Sequence, residues 1–283
     1  MGLRSTKVCQ RSIKPVAFGG EAAQFYGLQY SKRGQAMKKM LLIAALLAAP
    51  VLATTATPDW LAISQRAESD IKLDEGRKPI ETLRFLGIKK GDAVLDYEAG
   101  GGYYTEIMAR AVGPKGNVTA WLATQFTGDE KGKAKWAGIL ARNPRVRVLE
   151  QPFEEFQAPA NSYSFALMHL SYHDAYWVST EYKVKEQDPD ILVRKLYSAM
   201  KPGGIVGVVD HIGPPGDTRA IVDKLHRIDP AVVKADFQRG GFKLIGESQH
   251  LRVVGDDHTK LVFDPAVRGK TDRFVFRFMK PKK

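Results

Sequence analysis

At 283 residues and 44% hydrophobic content, the chain carries enough apolar surface for one large core, and a single domain with appendages is the simplest reading. Residues 1–53 hold eight Lys/Arg against Glu21 alone, so setting them aside lowers the net charge from +12 to +5 and leaves no dense basic block. Nucleic acid is therefore not an expected partner, and with Cys9 the only cysteine, the rest of the chain has neither a disulfide nor a thiolate metal site.

Residues 1–36 are basic, show no apolar periodicity and precede an initiator-like Met37, as expected of an extension from a start placed too early. Two lysines then lead into MLLIAALLAAPVLA (40–53), an apolar run ending in small residues. This is the layout of a signal peptide, residues 37–56, cleaved near Ala53 or Ala56. The run is short for a membrane span, so an exported, periplasmic protein with no stable span after cleavage is expected. Residues 57–92 read as N-terminal helices or a lid, with a loose segment at 59–74 and a better helix at 80–86 between Pro79 and Gly87.

Ala93, Val94 and Leu95 suit a buried parallel strand that ends at Asp96. Gly100, Gly101 and Gly102 allow a sharp turn and close ligand approach, and a helix at 104–112 would point its first amides at that turn. Strand, glycine turn and helix together make a nucleotide-cradle pattern. Further strands are predicted at 118–122, 146–149, 164–170, 205–210, 242–245 and 273–279, and helices at 133–141, 190–200 and 231–239, the last capped by Asp229-Pro230. The alternation defines an α/β, doubly wound domain over 93–283, with ligand chemistry at the carboxyl ends of its strands.

Several motifs carry a family resemblance: VLDYEAGGGYYTE (94–106), SYHDAYW (171–177), MKPGG (200–204), VVDH (208–211), HRIDP (226–230) and TDRFVFRF (271–278). Over residues 77–281 the chain resembles the class I S-adenosylmethionine-dependent methyltransferases, and more narrowly the exported or predicted methyltransferases of bacteria. The resemblance implies a Rossmann-like seven-stranded sheet whose last strand, 273–279, is antiparallel. It also implies S-adenosylmethionine as cofactor and a small-molecule methyl acceptor as partner. The cofactor's methionine part would lie over Gly100 to Gly102, with Asp96 turned towards its amino group. Glu98 stands where the family's turn has its first glycine, and its carboxylate either pairs with the cofactor's ammonium or repels the cofactor's carboxylate. The acid that ends the family's second strand and holds the ribose hydroxyls is missing from Ala120-Trp121-Leu122-Ala123, and Gln151-Pro152 replace the acid near the adenine. Trp121 is expected to compensate by stacking, and Phe153 to line the same cleft.

Methyl transfer needs a positioned nucleophile and, for a hydroxyl or acidic carbon, a general base. His173 and Asp174 lie in the loop after the fourth strand, and His211 ends the fifth strand on the same rim. These three are the candidate catalytic residues, set against the plainer reading of each imidazole as a hydrogen-bonded structural group. His169 lies inside a strand and is expected to point elsewhere, so no metal centre is assigned. Arg227 and Asp229 read as a structural ion pair and cap. The alternative function is an exported, non-catalytic binding protein that kept the fold and lost the cofactor. An open cleft beside Gly100 to Gly102 favours the enzyme; one filled by Glu98, Trp121 and Phe153 favours the binding protein.

Overall fold

The structure, a computed structural model, describes residues 66–282. The expected extension (1–36), the signal peptide (37–56) and the first part of the 57–92 segment lie outside the described residues.

Seven strands form one mixed sheet: β1 (Ala93–Tyr97), β2 (Asn117–Ala123), β3 (Val146–Gln151), β4 (Tyr163–His169), β5 (Met200–His211), β6 (Lys243–Ser248) and β7 (Arg273–Met279). Their spatial order is β3-β2-β1-β4-β5-β7-β6, all parallel from β3 to β5, with β7 antiparallel to both its neighbours. The order reverses direction between β1 and β4, which leaves a crevice at their carboxyl ends. Helices α1 (Glu68–Ile71), α2 (Asp74–Arg77) and α3 (Pro79–Leu86) precede the sheet. The crossovers are α4 (Tyr103–Val112), α5 (Glu130–Arg142), α6 (Pro189–Ala199), and the pair α7 (Thr218–Leu225) and α8 (Pro230–Arg239).

Strand periodicity divides the core between the two faces of the sheet. Leu95, Tyr97, Trp121, Met168 and Val208 pack with residues of α6 and α8, while Val94, Val118, Leu167 and Val209 pack with α3 and α4. Both faces being covered, the central strands are apolar almost throughout. Asp129, Asp188, Asp217 and Asp229 each cap a helix by accepting from an amide of its first turn.

Three local expectations change. Helix α7 was not anticipated, although Asp217 caps it and Val222 and Leu225 bury one side of it. Strand β5 begins at Met200 rather than 205, shortening α6 to Ala199, because Gly203 N donates to Lys280 O (2.8 Å) and Lys280 N donates to Gly204 O (2.9 Å), extending the ladder. Arg227 pairs with Asp256, not Asp229. Its fully buried guanidinium donates to both Asp256 oxygens (2.8 and 3.0 Å) and to Ile212 O (3.1 Å). Asp256 in turn accepts from Asp272 N (2.6 Å), which ties down the long segment between β6 and β7. Asp229 acts as the cap alone, accepting from Ala231 N (2.8 Å).

Among the described residues no helix is long and apolar enough to cross a membrane. Asp256→Ala is expected to cost about 3–5 kcal/mol, because it leaves a buried guanidinium uncompensated. Asp229→Ala, which removes only a cap, is expected to cost about 1 kcal/mol. Urea unfolding of the two variants measures the difference.

Candidate functional site

The turn from β1 to α4 shapes the crevice. Glu98 (φ 51°), Gly100 (φ 53°) and Gly102 (φ 76°) are all left-handed. A side chain in that region costs about 1–2 kcal/mol, so Glu98 holds a conformation glycine would adopt freely. A Cβ on Gly102 would stand 2.5 Å from Ile139 Cδ1, so this glycine is required by the packing of α5. Gly100 has no atom within 4 Å of its Cβ position and opens to the crevice.

Two cavities flank the turn. The first, about 470 Å³, is polar, with Arg77, Asp96, Tyr103, His169 and Asp174 in its walls. The second, about 520 Å³, is a more apolar slot bounded by Leu122, Trp136, Leu140 and Val148. Glu98, Gly100, Gly101 and Phe126 line both, so the two meet at the turn. The N-terminal helices bound the polar chamber: Asp70 pairs with Lys135 of α5 at 2.7 Å, Tyr103 donates its hydroxyl to Asp74 (2.6 Å), and the Arg77 guanidinium lies 4.3 Å from the centre of the Tyr103 ring.

Acidic groups dominate the meeting point. Asp96 is buried at the end of β1, where it accepts from the Thr105 hydroxyl at 2.5 Å. Burial pushes its carboxyl up to about 7 against the opposing pull of Thr105 and Arg77. Glu98 Oε2 accepts from Ala123 N (3.1 Å) at the end of β2. Burial raises its carboxyl to about 8, with the Ala123 amide opposing and the negative charges of Asp174 and Asp96 adding to the rise.

His173 is buried beyond the polar chamber and lines neither cavity. Its backbone N–H and Nδ1–H donate to Asp210 (2.9 and 2.8 Å), and its Nε2 stands 3.3 Å from Asp174 Oδ1. Burial disfavours the imidazolium, but Asp174 and Asp210 outweigh it and raise the pKa to about 9. Asp174 does line the chamber, and burial raises its carboxyl to about 6 despite the opposing charge of His173. His211 sits with its ring 5.9 Å from that of His173 and its Nδ1 2.7 Å from the Thr271 hydroxyl. It is buried and lines neither cavity, and burial, then the charge of His173, keeps it neutral. Of the three candidate catalytic residues, Asp174 is the one that lines the crevice, and His173 and His211 lie buried behind it.

Other placements differ from expectation too. Trp121 shares the strand face of Tyr97, stacks on that ring at 4.5 Å and donates from Nε1 to Gln151 Oε1 (3.0 Å). It is completely buried, as is Phe153 at 1% exposure, so neither lines the crevice; the neighbouring Leu122 faces the slot instead. Gly102 stands behind the turn, against α5, and lines neither cavity. His169 does line the polar chamber, because it continues the face of Phe165 and Leu167 towards α4, where its ring lies 4.6 Å from Tyr104. Its buried Nε2 has no hydrogen-bond partner among the described residues, and burial, then the charges of Arg77 and Arg273, keeps the ring neutral.

Sequence reasoning missed Phe126 and Trp136, whose Nε1 donates to Gly100 O (3.0 Å), and Glu150, which borders the slot one residue before the Gln151 examined for an adenine acid. Trp136 and Leu140 are four apart on α5 and, with Ile139, form its visible apolar stripe.

No protein-family model and no curated protein matches the chain. Solved structures do. A SAM-dependent methyltransferase from Aquifex aeolicus is 19% identical with a TM-score of 0.51, over 75% of this chain and 97% of that one. An S-adenosylmethionine-dependent methyltransferase from Mesorhizobium loti is 14% identical with a TM-score of 0.51, over 73% and 99%. The cyclase SpnF is 16% identical with a TM-score of 0.51, over 74% and 81%. At these identities the likeness defines the fold. The chain has the fold of the class I S-adenosylmethionine-dependent methyltransferases, with its last strand antiparallel as expected. A cyclase shares that fold, so the reaction must be argued from the site.

Because its pKa is raised, His173 contributes stability in full below its usual value of 6.5 and loses it as pH rises through about 9. In Asp210→Asn one of the two carboxylates is gone, and the His173 pKa is expected to fall by about one unit or more. Titration of the ring protons by NMR in the two proteins checks this.

Proposed function

We propose that this protein is an S-adenosylmethionine-dependent methyltransferase acting on a small molecule. The observation that carries the reading is the open crevice: Gly100 and Gly101 join an apolar slot to a polar chamber at the carboxyl ends of the strands. The alternative of a non-catalytic binding protein drew on a cleft filled by Glu98, Trp121 and Phe153; Trp121 and Phe153 are buried in the core, and Glu98 alone of the three borders the crevice. Both cavities fall within the roughly 300–1,000 Å³ of small-molecule sites, which favours a small acceptor.

The residues present fit the cofactor. With nothing near its Cβ position, Gly100 leaves its backbone open to a ligand. Leu122, Trp136 and Leu140 would hold the adenine in the slot, and Asp96 in the polar chamber would receive the ammonium. When bound, S-adenosylmethionine supplies an electrophilic methyl group. Asp174 accepts the proton released by the acceptor: with a pKa of about 6 it is ionised above neutrality and still basic enough for the task. His173, fixed by Asp210, is a positioning residue that holds the Asp174 carboxylate on the chamber wall. The proposal includes export directed by residues 37–56, supported by the basic flank and apolar run of that segment.

Calorimetric titration of the purified protein is expected to show one S-adenosylhomocysteine bound per chain, and no heat at millimolar ligand would sink the reading. In Asp174→Asn, transfer of labelled methyl groups to a pooled small-molecule extract is expected to drop by about 10²–10⁴-fold, with S-adenosylhomocysteine affinity little changed. Mass spectrometry of the exported protein should find the chain beginning after Ala53 or Ala56; retention of residues 37–53 would count against export.

A further inference from the structure

Glu98 sits at the waist of the crevice, the one titratable side chain among the described residues that borders both the slot and the polar chamber. Its left-handed backbone turns the side chain away from the β1 axis and onto the last residue of β2, where Oε2 accepts from Ala123 N at 3.1 Å. Among the described residues Oε1 receives no hydrogen bond, and no ion pair neutralises the carboxyl. The charges that act on it are those of Asp174 and Asp96, both negative. A carboxyl held in this way has unused acceptor capacity and gains from neutral O–H donors. A cationic group has a better partner deeper in the polar chamber, where Asp96 lies on the wall. What remains for Glu98 is the part of a ligand between a flat ring in the slot and a charged group in the chamber.

We propose that Glu98 receives the two ribose hydroxyls of a nucleoside ligand, so that a residue of the β1 turn does the work of the acid absent from the end of β2. The proposal rests on the reading of the crevice as the S-adenosylmethionine site. It also accounts for a side chain at a position where the backbone favours glycine: the carboxylate reaches the end of β2 from that left-handed position.

The test is calorimetry on the full chain with S-adenosylhomocysteine and with its 2′,3′-dideoxy analogue, for the wild type and Glu98→Gly. Glycine suits the turn, so the variant should fold and melt no lower than the wild type. The wild type is expected to prefer the diol ligand by about tenfold, the order set by two hydrogen bonds. Glu98→Gly should erase that preference by weakening S-adenosylhomocysteine while leaving the dideoxy analogue unchanged. Tighter or equal binding of S-adenosylhomocysteine by Glu98→Gly, or a preference that survives the substitution, would overturn the role of Glu98 and leave the cofactor reading standing. If the wild type binds neither ligand, both readings fall together.

Discussion

The chain leaves β1 by alternating left-handed residues, Glu98, Gly100 and Gly102, and that backbone path sets the position of nearly every group in the crevice. It aims the first amides of α4 at the ligand space, as a helix N-terminus must be aimed to receive polar groups. It lays Gly102 against Ile139, which brings α5 close enough for Trp136 to reach Gly100 O and form one wall of the slot. The two glycines adopt this path without penalty, so the backbone strain falls on the one residue whose carboxyl stands between the two cavities.

Charge is distributed unevenly around that turn. Asp96 and Asp174 are close enough to raise the pKa of Glu98, and the cations of the chamber are largely engaged elsewhere, Lys135 with Asp70 and Arg77 over Tyr103. His173, a buried positive charge, is locked between Asp174 and Asp210. An acidic chamber beside an apolar slot is complementary to a ligand that is cationic at one end and a neutral ring at the other.

The fold was legible because strand and helix periodicities alternate cleanly from 93 to 279 and because both faces of the sheet are covered, which makes its strands apolar runs. The glycine turn and Asp174 were legible for the same reason: they follow strands whose carboxyl ends must face the crevice. Trp121 was misplaced because a doubly buried strand gives no polar alternation to say which face a residue takes, and only its pairing with Tyr97 across β1 puts it in the core. His169 failed in the opposite sense, since the last residue of β4 keeps the face of Leu167 but lies beyond the helix that covers it. Phe126, Trp136 and the Asp70–Lys135 pair are joined to the site only by tertiary packing, which no local pattern encodes.

The last strand to be made, β7, is not at the edge of the sheet but between β5 and β6. Until residue 279 has been synthesised, β5 exposes one unpaired edge and β6 has no partner at all, while Phe274, Phe276 and Phe278 are missing from the core. A chain emerging from its amino end therefore cannot complete its sheet until β7 has been made. It stays open to edge pairing until the end. Pairing of β7 with both its neighbours, rather than the glycine turn, is thus what closes the sheet.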